Sequence, residues 1–188
     1  MPQVNLNIAF VTINTPSGPV GPGWDATKIN AVVRATNQVW RSANIMFVVH
    51  QQNNHTLSMP GTSSSAVIDN AGFFFLQSQV APRGRITVGL VNQVAGRVTA
   101  GMATVGGRFT VQPHVGVTET YKPLALAHEL GHILGLEHVT SDSRNPQERL
   151  AATNNLMTPG IIRSNPILTA PQIATATANI TARSRPAR

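Results

Sequence analysis

Residues 128 to 138 read H-E-L-G-H-I-L-G-L-E-H and hold three of the chain's six histidines. His128 and His132 stand four positions apart. On an α-helix, at about 100° per residue, that places both rings on one face, one turn apart. Two imidazoles so placed can share one metal ion. Glu129 follows His128 and points beside that ion, where a carboxylate can take a proton from water that the metal activates. In a continuous helix His138 would be turned by about 240° from His132 and face away. It joins the other two only if the helix stops and the chain doubles back. Gly135 stands where a left-handed residue would do this, at little cost to a residue without a Cβ.

The chemistry such a group allows is metal-assisted hydrolysis. Three neutral imidazoles leave a fourth position open for water, as catalytic zinc sites do. One catalytic Zn2+ is therefore expected, bound by His128, His132 and His138, with Glu129 as the catalytic base. The chain has no cysteine, which excludes thiolate ligands and disulfides alike. Two rival readings stay open. In a thermolysin-like arrangement Glu148 would replace His138 as third ligand, leaving Gly135 and His138 without a task. In a non-catalytic or toxin-like binding module zinc would only staple the fold, yet a structural site has no use for Glu129.

His128, Glu129, His132, Gly135 and His138 together form H-E-x-x-H-x-x-G-x-x-H, and here the chain resembles the metzincin zinc metallopeptidases. The resemblance implies a zinc-dependent endopeptidase acting on a peptide or protein substrate. It also implies a Met-turn, and N-N-L-M-T-P-G at 154 to 160 supplies Met157 among turn-forming residues. Gly135 and Met157 would then be structural supports. By the same likeness Pro159, Gly160, Ile161, Ile162 and Arg163 wall the pocket for the side chain after the cleaved bond, although Ile161 and Ile162 read equally well as core. Some metzincins place a tyrosine just after the methionine. Thr158 and Pro159 stand there instead, so that role is absent or filled otherwise, and Tyr121 has no assigned part. Val139 marks no subfamily. Secretion or export is favoured by the likeness, while the N-terminus lacks the layout of a signal peptide.

The elements that must carry these residues are legible in outline. Q-V-N-L-N-I-A-F-V-T-I (3 to 13) alternates as a strand with Val4, Leu6, Ile8 and Phe10 on one side. Asp25 caps a helix to about Arg41 whose stripe is Ile29, Val32, Val33, Thr36, Val39 and Trp40. Residues 44 to 51 read as a second strand, followed by a polar loop, and 84 to 94 as a buried strand. Pro123 opens the histidine helix, and a last helix starts at Thr169 or Pro171. These imply a mixed α/β fold. By the likeness it is a metzincin-like single domain: a twisted mixed sheet with an antiparallel edge strand at 101 to 107, a strand at 114 to 119, a backing helix and an active-site helix. A mostly irregular C-terminal part, ending in a helix, completes it. Residues 1 to 135 would form the sheet-bearing part and 136 to 188 the C-terminal part, with 181 to 188 a flexible tail.

The totals narrow the partners. The 188 residues are 41% hydrophobic with mean hydropathy −0.01, enough for one buried core. The net charge of +7 reflects seven acids rather than abundant bases, and the fourteen bases are scattered except in the tail, where Arg183, Arg185 and Arg188 cluster. No basic stripe with interleaved aromatics is visible, so no nucleic-acid partner is expected. No segment has the length to span a membrane, and a monomer is expected. Calcium is not expected, because no loop concentrates carboxylates. His50, His55 and His114 lack paired spacing and read as solvated or hydrogen-bonded side chains.

Overall fold

A computed structural model describes residues 1–58, 67–68, 72, 75, 78–80, 86–91, 93–94, 101–104, 108–111, 121–139, 152–159 and 165–183. In chain order the elements are β1 (Gln3–Thr15), β2 (Gly18–Val20), α1 (Ala26–Trp40), β3 (Met46–Ser58), β4 (Val67–Ile68), β5 (Ile86–Leu90), β6 (Gln93–Val94), β7 (Gly101–Thr104), β8 (Arg108–Val111), α2 (Tyr121–Ile133) and α3 (Ala170–Arg183). The main sheet is mixed. β1 pairs in parallel with β3 along one edge, and along the other in parallel with β5 and antiparallel with β2. Beyond β5 lies β8, parallel to it, and then β7, antiparallel at the sheet edge as expected for 101 to 107. The strand expected at 114 to 119 lies outside the described residues.

β1 departs from the expectation of one buried face. Val4, Leu6 and Ile8 join the main core beneath the helices, while Ala9, Val11 and Ile13 pack with Val80 and Val91 on the opposite face. A central strand with parallel neighbours is covered on both sides, so alternation alone understates its burial. β3 is also longer than its apolar run. The stretch from Gln51 to Asn54 has exposed side chains, yet its backbone stays paired with β1 from Gln3↔Met46 to Asn14↔Ser58. A register shift at Leu6/Asn7 leaves His50 outside the pairing.

α1 forms where its cap and stripe place it. The Asp25 carboxylate accepts the Lys28 N–H at 2.7 Å, and Ile29, Val32, Val33, Thr36 and Trp40 are buried. Asn37 hooks the helix to β3: its amide donates to the Phe47 carbonyl at 2.9 Å and accepts the Phe47 N–H at 2.8 Å. α3 opens with a reciprocal cap. Gln172 Oε1 accepts the Thr169 N–H at 2.9 Å, and Thr169 Oγ1 faces the Gln172 N–H at 3.5 Å. The helix runs through Arg183, so 181 to 183 are helical rather than part of a tail, and 184 to 188 lie outside the described residues. Among the described residues no helix is long and apolar enough to cross a membrane.

Candidate metal centre

α2 begins ahead of Pro123, which sits in the first turn where a missing N–H costs nothing. Leu124, Leu126, Leu130 and Ile133 bury the helix in the core. Trp40, fully buried at the end of α1, donates its indole N–H to the Ala127 carbonyl at 3.1 Å. That bond holds α2 against α1 at the residue before His128.

The helix ends as a glycine-terminated turn. Gly135 has φ of +83°. Its N–H bonds to the His132 carbonyl at 2.9 Å, and the Leu136 N–H reaches back to the Gly131 carbonyl at 2.9 Å. These two bonds, together with the left-handed residue, make a Schellman motif. The turn reverses the chain so that His138 returns toward His128 and His132. It has a second effect. The Leu136 carbonyl faces the His132 ring and accepts its Nδ1–H at 2.8 Å.

The three Nε2 atoms form a nearly equilateral triangle with sides of 3.2, 3.2 and 3.1 Å. Their protonation follows from their partners. His128 Nδ1 lies 2.7 Å from the Leu156 carbonyl, and a carbonyl only accepts, so Nδ1 carries the hydrogen. The same holds for His132 against Leu136. In the neutral rings both Nε2 atoms are then bare lone pairs aimed at each other. Burial holds His128 down to about 4, which keeps it neutral around pH 7. Burial, with the neighbouring His132, also lowers His138. Lone pairs converging in this way call for a shared cation. Nitrogens about 2.0–2.1 Å from a tetrahedral zinc would stand roughly 3.3–3.4 Å apart, close to the spacing present. His128, His132 and His138 therefore fit a zinc ion, and among the described residues they are the group of metal-ligating side chains that does.

Glu129, half-buried beside His128, is pushed up by burial from 4.5 to about 7. Met157 is fully buried, and its Sδ occupies the space a Cβ on Gly131 would need. The Met157 carbonyl accepts the Val139 N–H at 3.0 Å, tying the segment after His138 to the 155–157 turn. Thr158 is buried and its hydroxyl donates to the Ala152 carbonyl, so it is turned into the fold rather than standing in for the tyrosine of some metzincins.

The sequence comparison agrees with this geometry. The family described as "Metallo-peptidase family M12B Reprolysin-like" matches residues 26–139, more than half of the chain. The chain belongs to these reprolysin-like metallopeptidases. This member of the family is also similar in structure to archaemetzincin from Methanopyrus kandleri, with a TM-score of 0.60 and 15% identity, covering 95% of this chain and 96% of that one. It is similar to metalloproteinase-II from Bacteroides fragilis, with a TM-score of 0.55 and 16% identity, covering 94% of this chain. The match spans 53% of the Bacteroides protein, about half of its length. At these identities the two neighbours speak to the fold, which is metzincin-like. Comparison with curated proteins returned no match. A hydrolase of peptide or protein substrates follows from the family.

Of the other candidate residues, Pro159 is exposed, and Gly160, Ile161, Ile162 and Arg163 lie outside the described residues, as do His114 and Glu148. His50 is exposed and His55 half-buried, both on β3 and apart from the triad. The sequence pattern gives Trp40 only as part of a core stripe, not as a partner of Ala127, and does not single out Gly131 or the Leu136 and Leu156 carbonyls. Gly131 alone left a trace, as a glycine inside a helix, where it costs about 1 kcal/mol relative to alanine.

Proposed function

We propose that the chain is a zinc-dependent endopeptidase in which His128, His132 and His138 hold one catalytic Zn2+ and Glu129 is the general base. The observation that carries this reading is the triangle of Nε2 atoms at 3.1–3.2 Å, with a half-buried carboxyl on the residue next to His128. When bound, zinc supplies Lewis-acid activation of water and of the scissile carbonyl. The chain's own groups do the rest. Glu129, half-buried beside His128, takes a proton from the attacking water and hands it to the leaving amine. Gly135 returns His138 to the site, and Met157 serves as the Met-turn residue beneath it. Pro159, with 160 to 163, forms one wall of the pocket for the side chain after the cleaved bond.

The test is Glu129→Ala, assayed for zinc content and for cleavage of a casein-like substrate. The expected result is one zinc per chain in both proteins, with cleavage reduced by at least about 100-fold in the variant. Wild type that carries zinc yet cleaves nothing in a diverse peptide library would overturn the reading in favour of a structural zinc.

A further inference from the structure

Nothing in the motif explains what holds the 155–157 segment, although two of the three histidines depend on it. The Leu156 carbonyl fixes the His128 ring, and the Met157 carbonyl holds Val139 beside His138. The segment starts at Asn155, which is 4% exposed although polar. Its Oδ1 accepts the Met157 N–H at 2.9 Å, which closes the turn. The rest of the amide is engaged by α3. Asn155 Nδ2 donates to Gln172 Oε1 at 2.9 Å, and Gln172 Nε2 donates to Asn155 Oδ1 at 3.0 Å. Two parallel bonds between facing amides fix both side chains in distance and in plane.

Gln172 is itself held, since its Oε1 also accepts the Thr169 N–H and hydroxyl at 2.9 and 3.2 Å. Two turns further on, Asn179 donates to the Leu134 carbonyl at 2.9 Å, an acceptor left over where α2 ends. Residues 172 and 179 lie on one side of α3, next to the buried Ala176 and Ile180. One helix face thus grips the centre from two directions: the turn beneath His128 and the turn that brings back His138.

We propose that Gln172 is a positioning residue for the metal centre, acting through Asn155 and the Leu156 carbonyl on the orientation of His128. It touches neither metal nor substrate. This rests on the reading that the three histidines bind zinc. Partners that orient a ligating imidazole typically contribute 10- to 100-fold to metal affinity.

The test measures the zinc dissociation constant of the full chain by competition with a chromophoric chelator. Gln172→Met keeps the volume and removes the amide pair, and should weaken zinc binding by about 10-fold or more. Ala178→Gly, exposed on the same helix, lowers its helix propensity by about 1 kcal/mol without touching the pair. It should lower the urea midpoint of the metal-free protein while leaving zinc affinity within about twofold. Gln172→Glu keeps the acceptor for Asn155 and Thr169 and should fall between wild type and Gln172→Met, which covers the case that Gln172→Met fails to fold. Cobalt-loaded Gln172→Met should also show an altered d–d spectrum, which a loss of stability alone would not produce. Zinc affinity within about twofold of wild type in Gln172→Met, or in Gln172→Glu if the first does not fold, overturns the proposal. Failure of the wild type to bind zinc would instead refute the reading on which it rests.

Discussion

The sulfur of Met157 lies in the space that any side chain at Gly131 would need, so the methionine and the glycine between the two helical histidines are a matched pair. Met157 Cε would stand 3.1 Å from such a Cβ as well, and Leu136 Cδ1 3.6 Å. Gly131→Ala should therefore destabilise the protein despite alanine's better helix propensity. Overpacking against a fully buried side chain costs about 1–3 kcal/mol, against about 1 kcal/mol gained in the helix. Adding Met157→Ala should give a loss smaller than the sum of the two single changes. Strict additivity in urea denaturation would show that the two do not meet.

Gly135 carries two burdens at once. Its φ of +83° strains any residue with a side chain, and a Cβ there would run into the Asn179 amide. Gly135→Ala is expected to cost about 1–3 kcal/mol from the backbone alone. Zinc affinity should fall too, because the Leu136 carbonyl and His138 both depend on this turn. An alanine variant that matches wild type in urea midpoint and zinc affinity would contradict this.

Removal of the metal should be felt as lost stability. A ligand that binds only the folded chain stabilises it by about 4 kcal/mol at about 1,000 times its dissociation constant. Excess chelator should accordingly lower the unfolding temperature of zinc-loaded wild type by several degrees. His138 is exposed, so His138→Ala should barely change the metal-free protein while shrinking the gap between chelated and zinc-loaded forms. An undiminished gap in that variant would remove His138 from the ligand set.

The metal-free protein should show two opposing pH dependences. His128 is held at about 4 against 6.5 when unfolded, so between these values the unfolded chain binds more protons and stability rises with pH. The lowered His138 acts in the same direction, weakened by solvent. Glu129 is raised to about 7 from 4.5, so between these values the folded chain binds more protons and stability falls with pH. From pH 4.5 to 6.5 the two slopes offset each other. Glu129→Gln removes one of them. The metal-free variant should therefore gain stability from pH 4.5 to 6.5, while wild type stays nearly flat, in urea midpoints taken across that range. A variant as flat as wild type would refute the assignment.

What could be read in the sequence is what depends on neighbours along the chain. The spacing of His128, His132 and Gly135 encodes a helix face and its termination, and the stripe from Ile29 to Trp40 encodes a buried helix, because both repeat with the backbone's own period. The second half of β3 escaped because its exposed side chains carry no pattern. Its backbone pairing with β1 is what makes it a strand. The bonds from Trp40 to Ala127 and from Gln172 to Asn155 join distant parts of the chain, where no local rule applies. Gly131 likewise makes room for Met157, 26 positions further along the chain, which no local pattern reveals.

The two oxygens that set the His128 and His132 rings belong to Leu156 and Leu136, and both are main-chain atoms. Every residue type carries a carbonyl, so no substitution at 136 or 156 can delete either acceptor. These positions are free to drift among side chains that fill the same space while the imidazole tautomers stay as they are. These two acceptors are lost only by displacing the main chain, as at Gly135 or at the Asn155–Gln172 amide pair. A mutational scan confined to residues 128 to 138 would pass over Asn155 and Gln172, whose amide pair supports the Leu156 carbonyl.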